Sequence, residues 1–198
     1  MRAVGASGCA AGAGDRAQAR LRLGLPVDGF VVGTVSRLVE QKAVDVLIRA
    51  FAPLSDATLI IVGAGPLDGP LKKLAAELNA NCLFLGERSD VEAILPALDV
   101  YALSSAWEGE PLSLLEAMAC RLPVVSTDTP GSRDILDDGA AGLLVPIHDP
   151  QALCSALKAY RSQAQLCTQM AARGHAIALQ RTVEHSVRLT AKIYRDCL

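Results

Sequence analysis

SSAWEGEPLSLLEAMACR, residues Ser104 to Arg121, joins a short apolar run at Val100 to Leu103 to a helical one. Two carboxylates, Glu108 and Glu116, stand eight positions apart, with Gly109 and Pro111 between them. Pro111 suits the first turn of a helix, where its missing N–H is not needed. The free amides of that turn point out of the helix end and form a cradle for an anion such as a diphosphate. Spacing predicts one buried stripe of Leu112, Leu115 and Met118. Glu116 falls one turn inside the helix, on the side of Leu112 and Ser113. An acid within LSLLEAMAC is out of place unless something pairs with it.

Working outward, the same unit of buried strand, loop and amphipathic helix recurs. Strands are predicted at Phe30 to Ser36, Thr58 to Val62, Cys82 to Leu85, Val100 to Leu103, Pro123 to Thr127 and Gly142 to Val145. Helices are predicted from Asp15, as cap, to Leu23, and from Ala43 to Ala52 with Val44, Leu47, Ile48 and Phe51 inward. Others run from Leu67 to Asn79 with Leu71, Leu74 and Leu78 inward, and from Val91 to Ala97 behind an Asp90 cap. Asp149 and Pro150 open another that reaches about Tyr160, and the tail from about Gln163 is helical. Residues 1–20 read as a Gly/Ala-rich leader and linker, and 21–198 as one domain. The alternation predicts an α/β fold, a doubly wound parallel sheet with C-terminal helices. In such sheets ligands bind beyond the carboxyl ends of the strands, where every loop named below lies.

Composition bounds the function. A chain of 198 residues buries roughly 70% of its unfolded surface and needs no metal or disulfide to fold. Hydrophobic residues at 51%, charged ones at 20% and a net charge of −2 give no whole-protein attraction to nucleic acid or to an anionic membrane. The six cysteines, 9, 82, 120, 154, 167 and 197, show no CxxC and read as free thiols in a reducing compartment. Histidines 148, 175 and 185 make no metal-spaced pair. No apolar run approaches the ~18 residues of a membrane span, and the first residues lack the apolar core of a signal peptide.

Arg37 and Lys42 follow the first strand five positions apart. Both reach a diphosphate at the strand ends, and together they match its charge; taken alone they also read as solvated surface charges. Gly63 and Gly65 follow the second strand, but Asp68 stands where a dinucleotide fingerprint needs its third glycine. Gly86, Glu87 and Arg88 open a turn that presents backbone to a nucleobase edge, or is a plain turn with an Asp cap. Glu108 and Glu116 suit hydroxyl groups better than phosphate. A glycosidase acid/base pair is the rival, but nearby cations favour ionised carboxylates. The blander readings are a loop acid at Glu108 and a salt-bridged helical acid at Glu116. GxSxG and GxxxxGK[ST] are absent, and Ser104, Ser105 and Ser113 have no histidine nearby in sequence.

In order, VVGTVSRLVEQKAVDVLIRAF, LIIVGAGP, CLFLGERSDV, SSAWEGEPLSLLEAMACRLPVVST and GLLVP resemble the C-terminal, donor-binding domain of the retaining group 1 glycosyltransferases of GT-B fold, glycosyltransferase family four. The match covers about residues 21 to 160. The resemblance implies a Rossmann-like domain that binds a nucleotide-diphosphate sugar and needs no metal or other cofactor. It gives Arg37 and Lys42 the diphosphate clamp, Glu108 the donor sugar hydroxyls and Glu116 the ribose. Gly109, Pro111, Leu112 and Ser113 are the helix-end cradle, and Gly86, Glu87 and Arg88 read the base through main-chain groups. By the same resemblance Arg37, Lys42 and Glu108 take part in catalysis.

Four residues depart from the family pattern: Ala43 and Arg121 replace glycines, Glu110 an apolar residue, and Asp134 a glutamate. Glu110 adds negative charge beside the diphosphate. The family's N-terminal acceptor domain is missing from these 198 residues. The expectation is the donor half of a cytoplasmic enzyme of glycan or glycolipid synthesis, inactive alone. Its partners are the nucleotide sugar and a separate domain or chain, with self-association and contact with the inner membrane face left open. A truncated, non-catalytic nucleotide-sugar module is the alternative, and an NAD(P)-binding domain resting on Gly63 and Gly65 is the remote one.

Overall fold

The computed structural model describes residues 13–181. Six parallel strands form one sheet in the order β3-β2-β1-β4-β5-β6. They are β1 (Phe30–Val35), β2 (Ala57–Val62), β3 (Cys82–Gly86), β4 (Val100–Leu103), β5 (Val124–Thr127) and β6 (Leu143–Val145). The helices are α1 (Ala13–Arg22), α2 (Val44–Phe51), α3 (Asp68–Glu77), α4 (Val91–Ile94), α5 (Leu112–Ala119), α6 (Pro130–Ile135), α7 (Pro150–Ser162) and α8 (Ala164–Gln180). The chain winds outward from β1 in one direction, then crosses to β4 and winds outward in the other. That reversal between β1 and β4 is where such a sheet opens a crevice for a ligand.

The strands are apolar throughout because both faces are covered. Alternate residues feed two separate cores. Val32, Leu59, Ile61, Val100, Ala102 and Val125 face the layer of α2, α3 and α7. Val31, Ile60, Val62, Tyr101, Leu103 and Val124 face the layer that includes α1, α4 and α5. Each fully buried aliphatic side chain contributes roughly 1.5–3 kcal/mol, so the paired cores bind the sheet to both helical layers. The expected division between leader and domain at residue 20 falls inside α1. There Arg20, 2% exposed, donates to Ala97 O and Asp99, while Asp99 also accepts from Val31 N at the start of β1.

Several local expectations need correction. Asp90 occupies the N-cap position of α4 as expected, but it caps with its carbonyl, which accepts from Ala93 N, while its carboxylate is held by Arg88 Nε and Nη2. Pro111 is the residue before α5 rather than its first. The buried side of α5 is Leu114, Leu115, Ala117 and Met118, whereas Leu112 is 46% exposed. A helix lying on a sheet buries a broad arc, and its first residue projects past the sheet edge. Cys82, Cys154 and Cys167 are free thiols, but Cys120, at the end of α5, is disulfide-bonded. Its place in an apolar run had the look of a small hydrophobe. Cys9 and Cys197, and the tail beyond residue 181, lie outside the described residues.

Candidate functional site

The strand ends bring the sequence motifs to one edge. The turn at Glu40–Lys42 is a single 3-10 turn that Ala43 closes in left-handed conformation, φ 43°. This turn delivers Lys42 toward the loop leaving β4. There Lys42 Nζ donates to Glu108 Oε1, which also accepts from Ser105 Oγ at 2.6 Å. The Glu108 side chain is 7% exposed and that of Lys42 16%. Burial at this depth requires each charge to have a partner, and each has one.

The two loops are sewn together along their backbones. Ser104 Oγ donates to Lys42 O, Ala106 N to Gln41 O, and Gln41 Nε2 to Trp107 O. From the other side Thr127 Oγ1 donates to Ser105 O, and Gly131 N to Glu108 O. A Cβ at Gly131 would collide with the carbonyl of Gly109, so the start of α6 approaches this loop as only glycine allows. Ser104, Ser105, Gln41, Thr127 and Gly131 are site-building residues that motif reading passed over. Their partners lie far away in sequence, and nothing but the topology brings them together.

Glu116 has a different setting. It is half-buried on α5, with no hydrogen bond or ion pair among the described residues. Burial, with Glu92 adding repulsion, raises its pKa above the ordinary carboxylate value. Beneath it Tyr101, completely buried, accepts from Val35 N and donates to Val35 O with its hydroxyl. Burial pushes that phenol up to about 12, so it stays neutral and holds the end of β1. Ser113 lies in the first turn of α5, with its amide near the helix start. Neither that amide nor the one of Leu112 has an acceptor among the described residues, and no side chain caps the helix.

Lys42 ends the loop that follows β1, and Arg37 lies near its start. Arg37 is exposed and lines a cavity of about 430 Å³ with Ser36, Gly63, Ala64, Glu87 and Arg88. Gly63 has φ 135°, and a Cβ there would strike Ser36 O; one on Gly65 would strike Leu38 O. These glycines let the β2 turn pack against the chain's own β1 loop, which Leu38 N seals by donating to Ala64 O. Gly86 O accepts from Gly63 N, so the β3 turn is fastened to the same frame. Glu110 and Trp107 are exposed at the rim.

The order of these pieces along one sheet edge is that of a known family. A model of the glycosyl transferases of group 1 matches residues 15–176. The chain belongs to this family. Among its relatives, the lipopolysaccharide core biosynthesis glycosyltransferase LpsE of Rhizobium meliloti is 35% identical over 158 residues, 79% of this chain and 46% of the relative. A D-inositol 3-phosphate glycosyltransferase of Salinispora arenicola is 41% identical over 160 residues, 71% of this chain and 36% of the relative. The Anabaena HepE structure in complex with UDP and glucose superposes with TM-score 0.85 at 28% identity, covering 93% of this chain and 53% of that one. The C-terminal domain of LpcC from Francisella tularensis shares the fold, with TM-score 0.74 at 23% identity over 84% of this chain and 92% of that domain. The chain therefore spans about half or less of the curated relatives it matches. Its fold is the Rossmann-like one seen in the C-terminal domain of GT-B members of the family.

Proposed function

We propose that this chain is the donor-binding half of a retaining glycosyltransferase, and that its donor is a nucleotide-diphosphate sugar. One observation carries the reading. At the crevice between β1 and β4, a cation and a carboxylate are held together by buried hydrogen bonds beside an uncapped helix end and a half-buried, unpaired acid. Anions favour the amides of α5 and the cations Arg37 and Lys42, and hydroxyl groups favour Glu108 and Glu116. A nucleotide sugar offers both chemistries in the required order, diphosphate between sugar and ribose.

In this reading the diphosphate lies on the amides of Leu112 and Ser113, beyond Gly109 and Pro111, with Lys42 and Arg37 supplying positive charge. Glu108 accepts from the sugar hydroxyls and Glu116 from the ribose. The Gly86, Glu87 and Arg88 turn meets the base, beside the cavity that Arg37 lines. The charge that develops on the departing nucleotide is met by groups already in place, so catalysis is positioning and electrostatic stabilisation. Two cations and a helix end suffice for the diphosphate, and the reading calls for no metal or cofactor. The acceptor, a glycan or a lipid-linked sugar at the inner face of a membrane, docks against a second domain or partner chain. The lipopolysaccharide relative motivates that class, and among the described residues no helix is long and apolar enough to cross a membrane.

Calorimetry with UDP, GDP and ADP and their glucose or mannose conjugates tests the reading. Binding of one pair, weakened by Lys42→Ala and Glu116→Ala, supports it, and failure of every nucleotide to bind overturns it. The HepE complex with UDP-glucose makes UDP the first to try.

A further inference from the structure

Glu108 faces two demands. Its carboxylate must stay ionised and fixed to accept sugar hydroxyls, yet its charged partner, Lys42, belongs to the diphosphate in the reading above. If Lys42 were the sole anchor, donor binding would release the carboxylate at the moment it was needed. The structure contains a second anchor. Ser105 is fully buried, and its hydroxyl donates to Glu108 Oε1, the same oxygen that Lys42 reaches. The other oxygen, Oε2, has no partner among the described residues. Ser105 is itself immobile, because Thr127 Oγ1 at the end of β5 donates to its carbonyl at 2.6 Å. Ser104, next to it, holds the Lys42 backbone by donating to Lys42 O.

We propose that Ser105 is the positioning residue for Glu108: its hydroxyl keeps Oε1 anchored when Lys42 turns to the diphosphate, leaving Oε2 to receive the sugar. The proposal rests on the donor-site reading. Ser105 touches neither sugar nor phosphate, and it acts through Glu108. A hydroxyl is suited to this work because it is neutral. It orients the carboxylate without competing for the anion, whereas a second cation would leave Glu108 over-neutralised and a poor acceptor. The buried site also strengthens a hydrogen bond to a charged acceptor relative to the same bond in water.

The test compares, by calorimetry on the whole chain, the affinity for whichever nucleotide diphosphate binds and for its sugar conjugate. Their ratio measures what the sugar contributes. In Ser105→Ala the nucleotide affinity is expected to stay within about twofold, while the sugar's contribution falls about tenfold, the usual effect of losing a hydrogen bond to a charged group. Ser105→Thr, which keeps the hydroxyl, restores it. In a Glu108→Gln background, Ser105→Ala no longer changes the ratio. Tyr160→Phe serves as the structural control: it removes a buried hydrogen bond to Val124 O at the far end of β5, lowers the melting temperature and leaves the ratio intact. An unchanged ratio in Ser105→Ala, or an equal loss for nucleotide and conjugate, overturns the proposal while the donor-site reading stands. Absence of binding by any nucleotide to the unaltered chain overturns both.

Discussion

Glu108 and Glu116 belong to one motif eight residues apart, and the molecule treats them in opposite ways. Glu108 is almost fully buried, shares one oxygen between a lysine and a serine, and sits in a loop tied to two other loops. Glu116 lies on a regular helix, half-buried and unpaired among the described residues, with the acid of Glu92 nearby. The first is organised before any ligand arrives. The second carries an unfavourable burial that a ligand donating hydroxyl hydrogens would relieve. One end of the site is therefore a rigid template, and the other is held at a cost until occupied.

The contrast breaks first at Lys42. Lys42→Ala removes the cation and strands Glu108 with Ser105 as its remaining partner. Nucleotide affinity should fall by about 10–100-fold, and calorimetry reads it directly. Glu116→Ala should weaken the same nucleotide by about tenfold, since it removes a carboxylate that accepts from neutral hydroxyls. Equal losses at the two positions would show that the preorganised and unpaired ends do not differ.

Glu108→Gln sharpens the difference, because it should act in the reverse direction on the bare nucleotide. Freed from its carboxylate partner, Lys42 becomes more available to the diphosphate. The nucleotide should bind a few-fold tighter even as the sugar's contribution shrinks. Loss of nucleotide affinity in this variant would mean that the Lys42–Glu108 pair serves to hold Lys42 in place and does not compete with phosphate.

The turn that delivers Lys42 offers a smaller effect. Ala43 has φ 43° and Arg121 φ 58°, both in the left-handed region that favours glycine. A side chain in the left-handed region costs roughly 1–2 kcal/mol. Glycine loses more backbone entropy, which offsets part of the relief. Ala43→Gly should thus stabilise by about 0.5–1 kcal/mol, read as a melting temperature about 1–4 °C higher.

Much of this was legible before the structure. Strand positions agreed to within a residue or two, because a strand buried on both faces reads as an unbroken apolar run. Helix faces were legible where the helix spans the sheet, as at Val44, Leu47, Ile48 and Phe51. Leu112 was misassigned because it projects past that sheet. The two charged motifs were visible as residue types, and their convergence followed from the rule about strand ends. In sequence Ser105 reads only as a nucleophile without a base, because a buried, positioning serine has no sequence signature. Gly63 and Gly65 suggested a cofactor, whereas their missing side chains make room for Ser36 and Leu38. In each case the deciding partner sits on another loop, tens of residues away.

The smallest effect separates folding from binding at Glu116. Its pKa is raised in the folded protein, first by burial and then by Glu92. The folded state therefore holds this proton more tightly than the unfolded one, and acidification favours folding through this group. The penalty is fully present above the folded pKa and gone below the unfolded one. Glu116→Gln removes the charge and should stabilise the chain at neutral pH. Partial solvent exposure screens the penalty and limits the gain to below about 1 kcal/mol. The gain should vanish as pH falls through the raised folded pKa toward the ordinary carboxylate value, which thermal melts at a series of pH values would trace. Nucleotide affinity should move the other way, falling in unaltered protein as Glu116 is protonated and losing that limb in the glutamine variant. A stability gain that persists in acid would place the strain elsewhere in α5. A variant that binds nucleotide as well as the parent would show that Glu116 is merely a tolerated acid.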